Sequence, residues 1–307
     1  MSSTANFPNA WATIGQSLTT PNPTLQTATG NSNIAMSQTT FQAASSIIKR
    51  WRDFDFGNLH EPYGDLLDNY NVPVVVDEQS SVPATNITDL KKALTGHIVH
   101  RLRQPIATGV ALLASRCGEA RRDVTVLTDE PLAHRRRSAL SFVTSDGERL
   151  AVSCAYTSNQ WTSRELEDSE SSQSYPLLRL ATYCHDAGTR YGFIFSDHEL
   201  VVARVSGTSF SCLIEWQSIP WEAAGPGVLT VNLSLFLMVM MALHNSHRPI
   251  LRHLQPFPIN FWYRFQNIDG DWVNRHHLSR REVFHHLPGA ITELPNGVPF
   301  EDTHITE

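Results

Sequence analysis

The sequence predicts an α/β chain of the α+β kind, a central mixed sheet flanked by helices, and three observations carry that prediction. Helical and strand periods follow in the order helix, three strands, helix, two or three strands, helix, the mixed order that packs helices onto one sheet. Leu229 to Leu243 is apolar around its whole circumference, as a helix buried on most sides must be. Of the 307 residues 41% are hydrophobic and 18% charged, a balance with which a chain of this size buries a core.

Taken in order, residues 1–48 carry no charged side chain, and 23 of the first 44 are Ser, Thr, Asn or Gln. So few large apolar groups do not offset ordering entropy, and residues 1–46 are expected to form a disordered tail. Ile47, Ile48, Trp51, Phe54 and Phe56 open the packed domain, expected over 47–250. Leu90, Leu94, Ile98 and Leu102 recur every four residues and predict a helix from Thr88, which Pro105 ends or kinks before a second helical stretch over 106–113. Strands are expected at Val124–Leu127, Ala139–Val143 and Leu150–Tyr156, the last two joined by a hairpin at Asp146-Gly147. Residues 164–174 are acidic and Ser-rich and read as an exposed loop. Tyr175 to Ala187 reads as a helix, followed by strands at Tyr191–Phe195, Leu200–Val205 and Phe210–Trp216. Residues 251–307 are an aromatic- and His-rich extension expected to pack on the core. In it, Ser279-Arg280-Arg281-Glu282 reads as a capping box that starts a short helix.

Composition narrows the function classes. With 24 Lys+Arg against 30 Asp+Glu the net charge is −6, which excludes a globally basic nucleic-acid binder. Four cysteines without a C-x-x-C pair fit reduced thiols, and neither a charged start nor an apolar run of membrane length is visible. The expectation is a soluble intracellular protein, cytoplasmic or nuclear, with no membrane partner.

Several phrases resemble the fungal PD-(D/E)XK nuclease-like domain family. They are Tyr183 followed by Gly188-Thr189-Arg190-Tyr191-Gly192-Phe193-Ile194, then Asp197-His198-Glu199-Leu200-Val201-Val202, then Ile219-Pro220-Trp221 and Leu229-Thr230-Val231-Asn232-Leu233, within about half the chain over residues 88–245. The resemblance implies a restriction-endonuclease-like core. In active members of that superfamily an Asp begins the second core strand, and an Asp or Glu stands two residues before a Lys on the third. There two carboxylates hold a hard divalent cation and the Lys stabilises developing charge. The matching stretches here are Arg137-Ser138-Ala139-Leu140 and Ser153-Cys154-Ala155-Tyr156. Ala139, Cys154 and Tyr156 thus occupy the positions of the first acid, the second acid and the Lys. The nearest acids, Asp146 and Glu148, fall in the hairpin turn. The resemblance therefore implies a retained fold and a lost nuclease reaction, with no metal or other cofactor and no assignable catalytic residue.

Other signals weigh less. Residues 89–137 hold 10 Lys/Arg against five acids. Within them, Arg135, Arg136 and Arg137 are candidate phosphate contacts, or a solvated face neutralised by Glu165, Glu167, Asp168 and Glu170. Cys184-His185-Asp186 is not a catalytic set, because neighbours on a helix point about 100° apart. The C-terminal histidines, among them His244, His247, His276, His277, His285 and His286, pair without converging as a ligand set would. Candidate pocket residues are Tyr156, Gln160 and Trp161 at the vacated strand site, with Trp262 and Tyr263 from the aromatic run. Three functions remain open. One is a catalytically degenerate binding or scaffolding module for a small molecule or protein. Another is a small-molecule enzyme of fungal secondary metabolism with Tyr156 as proton donor. The third is weak nucleic-acid binding without cleavage.

Overall fold

The structure, a computed structural model, describes residues 10–27, 39–41, 45–75, 80–118, 120–164, 166, 174–208, 211–250, 257–266 and 269–284. It opens with β1 (Trp11–Thr13), α1 (Ile14–Leu18), β2 (Thr24–Thr27), β3 (Ile47–Arg50), α2 (Phe56–Asn69), β4 (Asn71–Pro73) and β5 (Ser81–Ala84). A long helical run follows, α3 (Ile87–Ala93), a π turn (Leu94–Val99) and α4 (His100–Cys117). Next come β6 (Val124–Pro131), β7 (Arg137–Thr144), β8 (Arg149–Ala155), α5 (Tyr175–Ala187), β9 (Tyr191–Phe195), β10 (Glu199–Gly207), β11 (Cys212–Pro220) and α6 (Val231–Ala242). The described chain ends with β12 (Trp262–Gln266), β13 (Trp272–His276) and β14 (Glu282–Val283).

Seven strands form one mixed sheet in the order β3-β11-β10-β9-β8-β7-β6. β8 runs parallel to β9, as the α5 crossover requires, and β11 parallel to β3, while the other pairs are antiparallel. Strand residues alternate between two cores. Tyr191, Phe193 and Phe195 join α4 and α6 on one face, and Ile194, Val201 and Val205 join α5 on the other. Every residue of α6 is buried, so its apolar circumference is explained by position. Gly192 lets α5 lie close over β9: a Cβ there would come within 2.8 Å of Cys184 Sγ. Asp146-Gly147 turns β7 into β8, with Gly147 at φ 88. No helix among the described residues is long and apolar enough to cross a membrane.

Three sequence expectations are corrected. The polar tail is not disordered throughout. Residues 10–27 fold onto the core, with Ile14 and Leu18 fully buried and Thr230 Oγ1 donating to Leu18 O at 2.7 Å. Asn232 Nδ2 donates to Asn22 Oδ1 at 2.9 Å and Trp221 Nε1 to Pro23 O at 2.8 Å, so tertiary partners order a segment whose composition alone would not. Pro105 does not break the helix. The run continues through it, and the irregularity lies just upstream as a π turn, a form that accommodates a missing hydrogen bond. Ser279 does not cap a helix: its N–H donates to His276 Nδ1, Arg280 takes φ 55, and Glu282 pairs with Arg275 at the start of β14. Residues 1–9, most of the acidic 164–174 loop, and His253, His285, His286 and His304 lie outside the described residues.

Candidate functional site

The splaying of β7 from β8 creates the site. Their ladder pairs Ser141 with Val152, a register that would set Ala139 against Cys154, but it stops there. Beyond that point two serine side chains replace backbone bonds: Leu140 N–H donates to Ser153 Oγ at 2.8 Å and Ser153 N–H to Ser138 Oγ at 2.9 Å. Wedged open in this way, the carboxyl end of β8 borders a cleft of about 380 Å³. Ala139, Ser153, Cys154, Ala155, Tyr156, Gln160, Arg179 and Tyr183 line it, together with Ile87, Lys91, Asp129, Arg135 and Arg137.

Loop 157–163, which carries Gln160, is fixed from behind by Asp197 of the β9–β10 turn and Glu199 at the start of β10. Asp197 accepts from Ser158 N–H at 2.6 Å and Ser158 Oγ at 2.7 Å. Glu199 accepts from Ser163 N–H and Oγ, both at 2.6 Å, and from Ser218 Oγ. Gln160 Oε1 accepts from Thr157 N–H at 3.0 Å. Buried Trp161 tilts against Tyr156 with ring centroids 6.2 Å apart, supporting that ring from below.

The cleft is electropositive. Arg179 stands on α5, half-buried, and donates from Nε to Tyr183 Oη at 3.0 Å and from Nη1 to Tyr156 Oη at 3.4 Å. Its guanidinium lies 5.4 Å from the Tyr183 ring centroid and 5.9 Å from that of Tyr156. No carboxylate among the described residues pairs with Arg179, Arg135 or Arg137. Among the described lining residues the one carboxylate, Asp129, is paired with Lys91, and its backbone carbonyl accepts from Arg137 Nη1 at 3.2 Å. Burial pushes the Cys154 thiol up to about 12, against the opposing pull of Arg179. Burial, reinforced by Cys154, raises Tyr156 above its ordinary value, and burial does the same for Tyr183. Near neutral pH these three groups are therefore uncharged, and Tyr156 can donate a hydrogen bond but not act as a base.

A nuclease cation does not fit this donor set. Mg²⁺ asks for several oxygen ligands, carboxylates foremost. Ala139 offers no ligand atom, Cys154 a soft neutral thiol, and Asp129 is held by Lys91. Asp146 and Glu148 sit at the far end of the hairpin, where Thr144 bonds Asp146 and Arg122 and Arg248 hold Glu148 at 2.6 Å. Among the described residues no group of three or more His, Cys, Asp or Glu converges as a metal site would.

The structure thus brings Ala139, Cys154, Tyr156, Gln160, Arg135 and Arg137 to one cleft, with Trp161 beneath it. It separates three other candidates. Arg136 turns away to Asp186 at 2.8 Å. Trp262 and Tyr263 are buried in the C-terminal sheet, where Trp262 Nε1 donates to Asn260 Oδ1 and Tyr263 Oη accepts from Arg280 Nη1 at 2.8 Å. Sequence reasoning missed Arg179, named Tyr183 only as part of the resemblance, and met Lys91 and Asp129 only within the charge count of residues 89–137. Arg179 and Tyr183 were findable: they stand four residues apart on one face of a mostly apolar helix.

No protein-family model, curated protein or solved structure matches this chain.

Proposed function

We propose that this chain is a binding module on a nuclease-like sheet, whose cleft takes up an anionic ligand and performs no metal-dependent cleavage. One observation carries the reading. Arg179, for which the described residues offer no carboxylate partner, lines the cleft where the resemblance would place a cation, among Ala139, Cys154 and Tyr156. Unpaired guanidinium groups in a partly desolvated cleft attract anions and repel the metal that the ancestral chemistry needs. The small-molecule-enzyme reading is weaker: burial makes Tyr156 a poorer acid than a free phenol, keeps Cys154 from serving as a thiolate, and the one carboxylate among the described lining residues is neutralised by Lys91.

The test has two arms. Purified protein is incubated with Mg²⁺ or Mn²⁺ and single- or double-stranded DNA or RNA, and no cleavage is expected. In EDTA, inorganic phosphate is expected to raise the melting temperature. Metal-dependent cleavage that disappears in Asp129→Asn overturns the reading, and so does a melting temperature indifferent to phosphate.

A further inference from the structure

Resting on that reading, we infer that the cleft's ligand is a small phosphorylated molecule of about nucleotide size, its phosphate gripped by Arg179 and Tyr156, and not a nucleic-acid strand. The geometry within the cleft points to a single compact anion. Arginine presents five N–H donors in a planar fork, and Arg179 spends two of them on Tyr183 and Tyr156. Arg179 lines the cleft beside Tyr156, whose hydroxyl oxygen is the acceptor in their bond, so that its own proton is left to donate. A fork beside a hydroxyl donor matches the oxygens of a phosphate.

Charge count favours a dianion. Among the described residues Lys91 cancels Asp129, which leaves Arg179 within and Arg135 and Arg137 at the mouth. A monocarboxylate would leave most of that charge uncompensated, whereas a phosphate monoester carries about −1.5 to −2 at pH 7. The mouth is also built under strain. Asp129, His134 and Arg135 hold φ of 51, 54 and 61, three of the four non-glycine residues in that region among those described. Left-handed backbone of this kind persists where surrounding structure fixes it, and it clusters at binding sites.

Size and surroundings decide against a strand. At about 380 Å³ the cleft lies in the small-ligand range of ~300–1,000 Å³. A strand needs a continuous basic track making about 6–10 phosphate contacts. The neighbouring arginines do not supply one, because Arg116 is paired with Asp65, Arg121 with Asp123, Arg122 with Glu148, Arg136 with Asp186 and Arg149 with Glu130.

The experiment is calorimetric titration of the full chain in EDTA with adenosine 5′-monophosphate, inorganic phosphate, adenosine, and a single strand of about 20 nucleotides. The monophosphate and phosphate are expected to bind and adenosine not to. Arg179→Met should weaken the monophosphate about tenfold or more, Arg179→Lys nearly as much because the fork is lost, and Tyr156→Phe severalfold. Arg103→Ala, an exposed change on α4, should leave affinity unaltered. If Arg179→Met does not fold, the exposed double change Arg135→Ala with Arg137→Ala carries the test, with a loss of about fivefold expected. A strand that binds far more tightly than the monophosphate, with steep salt dependence, overturns this inference and leaves the anion-binding reading standing. Failure of every phosphate-bearing probe overturns both.

Discussion

Arg179 is the one Arg or Lys on a helix whose buried residues are mostly apolar or aromatic, and its two phenol partners hold it without neutralising it. Its neighbour in charge, Asp129, is the residue that tempers the cleft. Asp129→Asn removes the partner of Lys91, so a competing phosphate is expected to bind a few-fold more tightly, read as a lower dissociation constant. Weaker binding in this variant would mean that the carboxylate helps hold the ligand. Cys154 gives a second check. Burial keeps its thiol protonated, so alkylation of the native protein near pH 8 should modify half-exposed Cys117 first. Cys154 and buried Cys184 should react only on unfolding, and rapid native labelling of Cys154 would contradict the account. At this scale the resemblance singled out Ala139, Cys154 and Tyr156, and the structure places the three on one cleft. The sequence did not pair Lys91 with Asp129, because 38 positions separate them and only the tertiary fold brings α3 to Asp129 of β6.

The β-elements from β6 to β11 and the helices α5 and α6 were readable because burial imposes a period or an unbroken apolar run. α1 was not read, although Thr13 and Gln16 form a capping box at its start. Much of what holds residues 10–27 comes from neighbours distant in sequence, Thr230 bonding Leu18, Asn232 bonding Asn22 and Trp221 bonding Pro23. Ile14→Ala or Leu18→Ala is therefore expected to cost about 2–4 kcal/mol in urea unfolding, the usual loss for emptying a fully buried site. A change below ~0.5 kcal/mol would mean that the segment is peripheral after all. The loop behind the cleft makes a similar demand on the β9–β10 turn. Asp197→Ala strips two bonds from Ser158, and its expected signature is weaker anion binding with little loss of melting temperature. Its acids were visible in sequence as a family phrase. Their work as a clamp became visible only when β8 and β9 were seen side by side.

For the molecule as a whole, two charge patterns set behaviour. One is the histidine-rich seam beneath the C-terminal sheet, where ring centroids of His247 and His277, and of His277 and His276, lie 4.9 Å apart. Burial pulls His276 down to about 3 and lowers His277 as well, with Arg280, Arg281 and Arg204 adding to the effect. In the unfolded chain both would titrate near 6.5, so below that pH the unfolded state binds more protons and stability falls toward pH 3. Urea midpoints should drop between about pH 7 and pH 4.5, and less so in His276→Gln; equal slopes in the two proteins would contradict this. The other pattern is a net charge of −6 set against the basic cleft, so that the anion capture we propose is a local property of an acidic molecule. The most direct measurement of that claim is phosphate affinity with EDTA and with Mn²⁺, in the natural chain and in Asp129→Asn. Equal affinity in EDTA and Mn²⁺ for the natural chain is expected. Binding that needs Mn²⁺ and disappears with the Asp129 carboxylate would mean that the cleft still grips a cation.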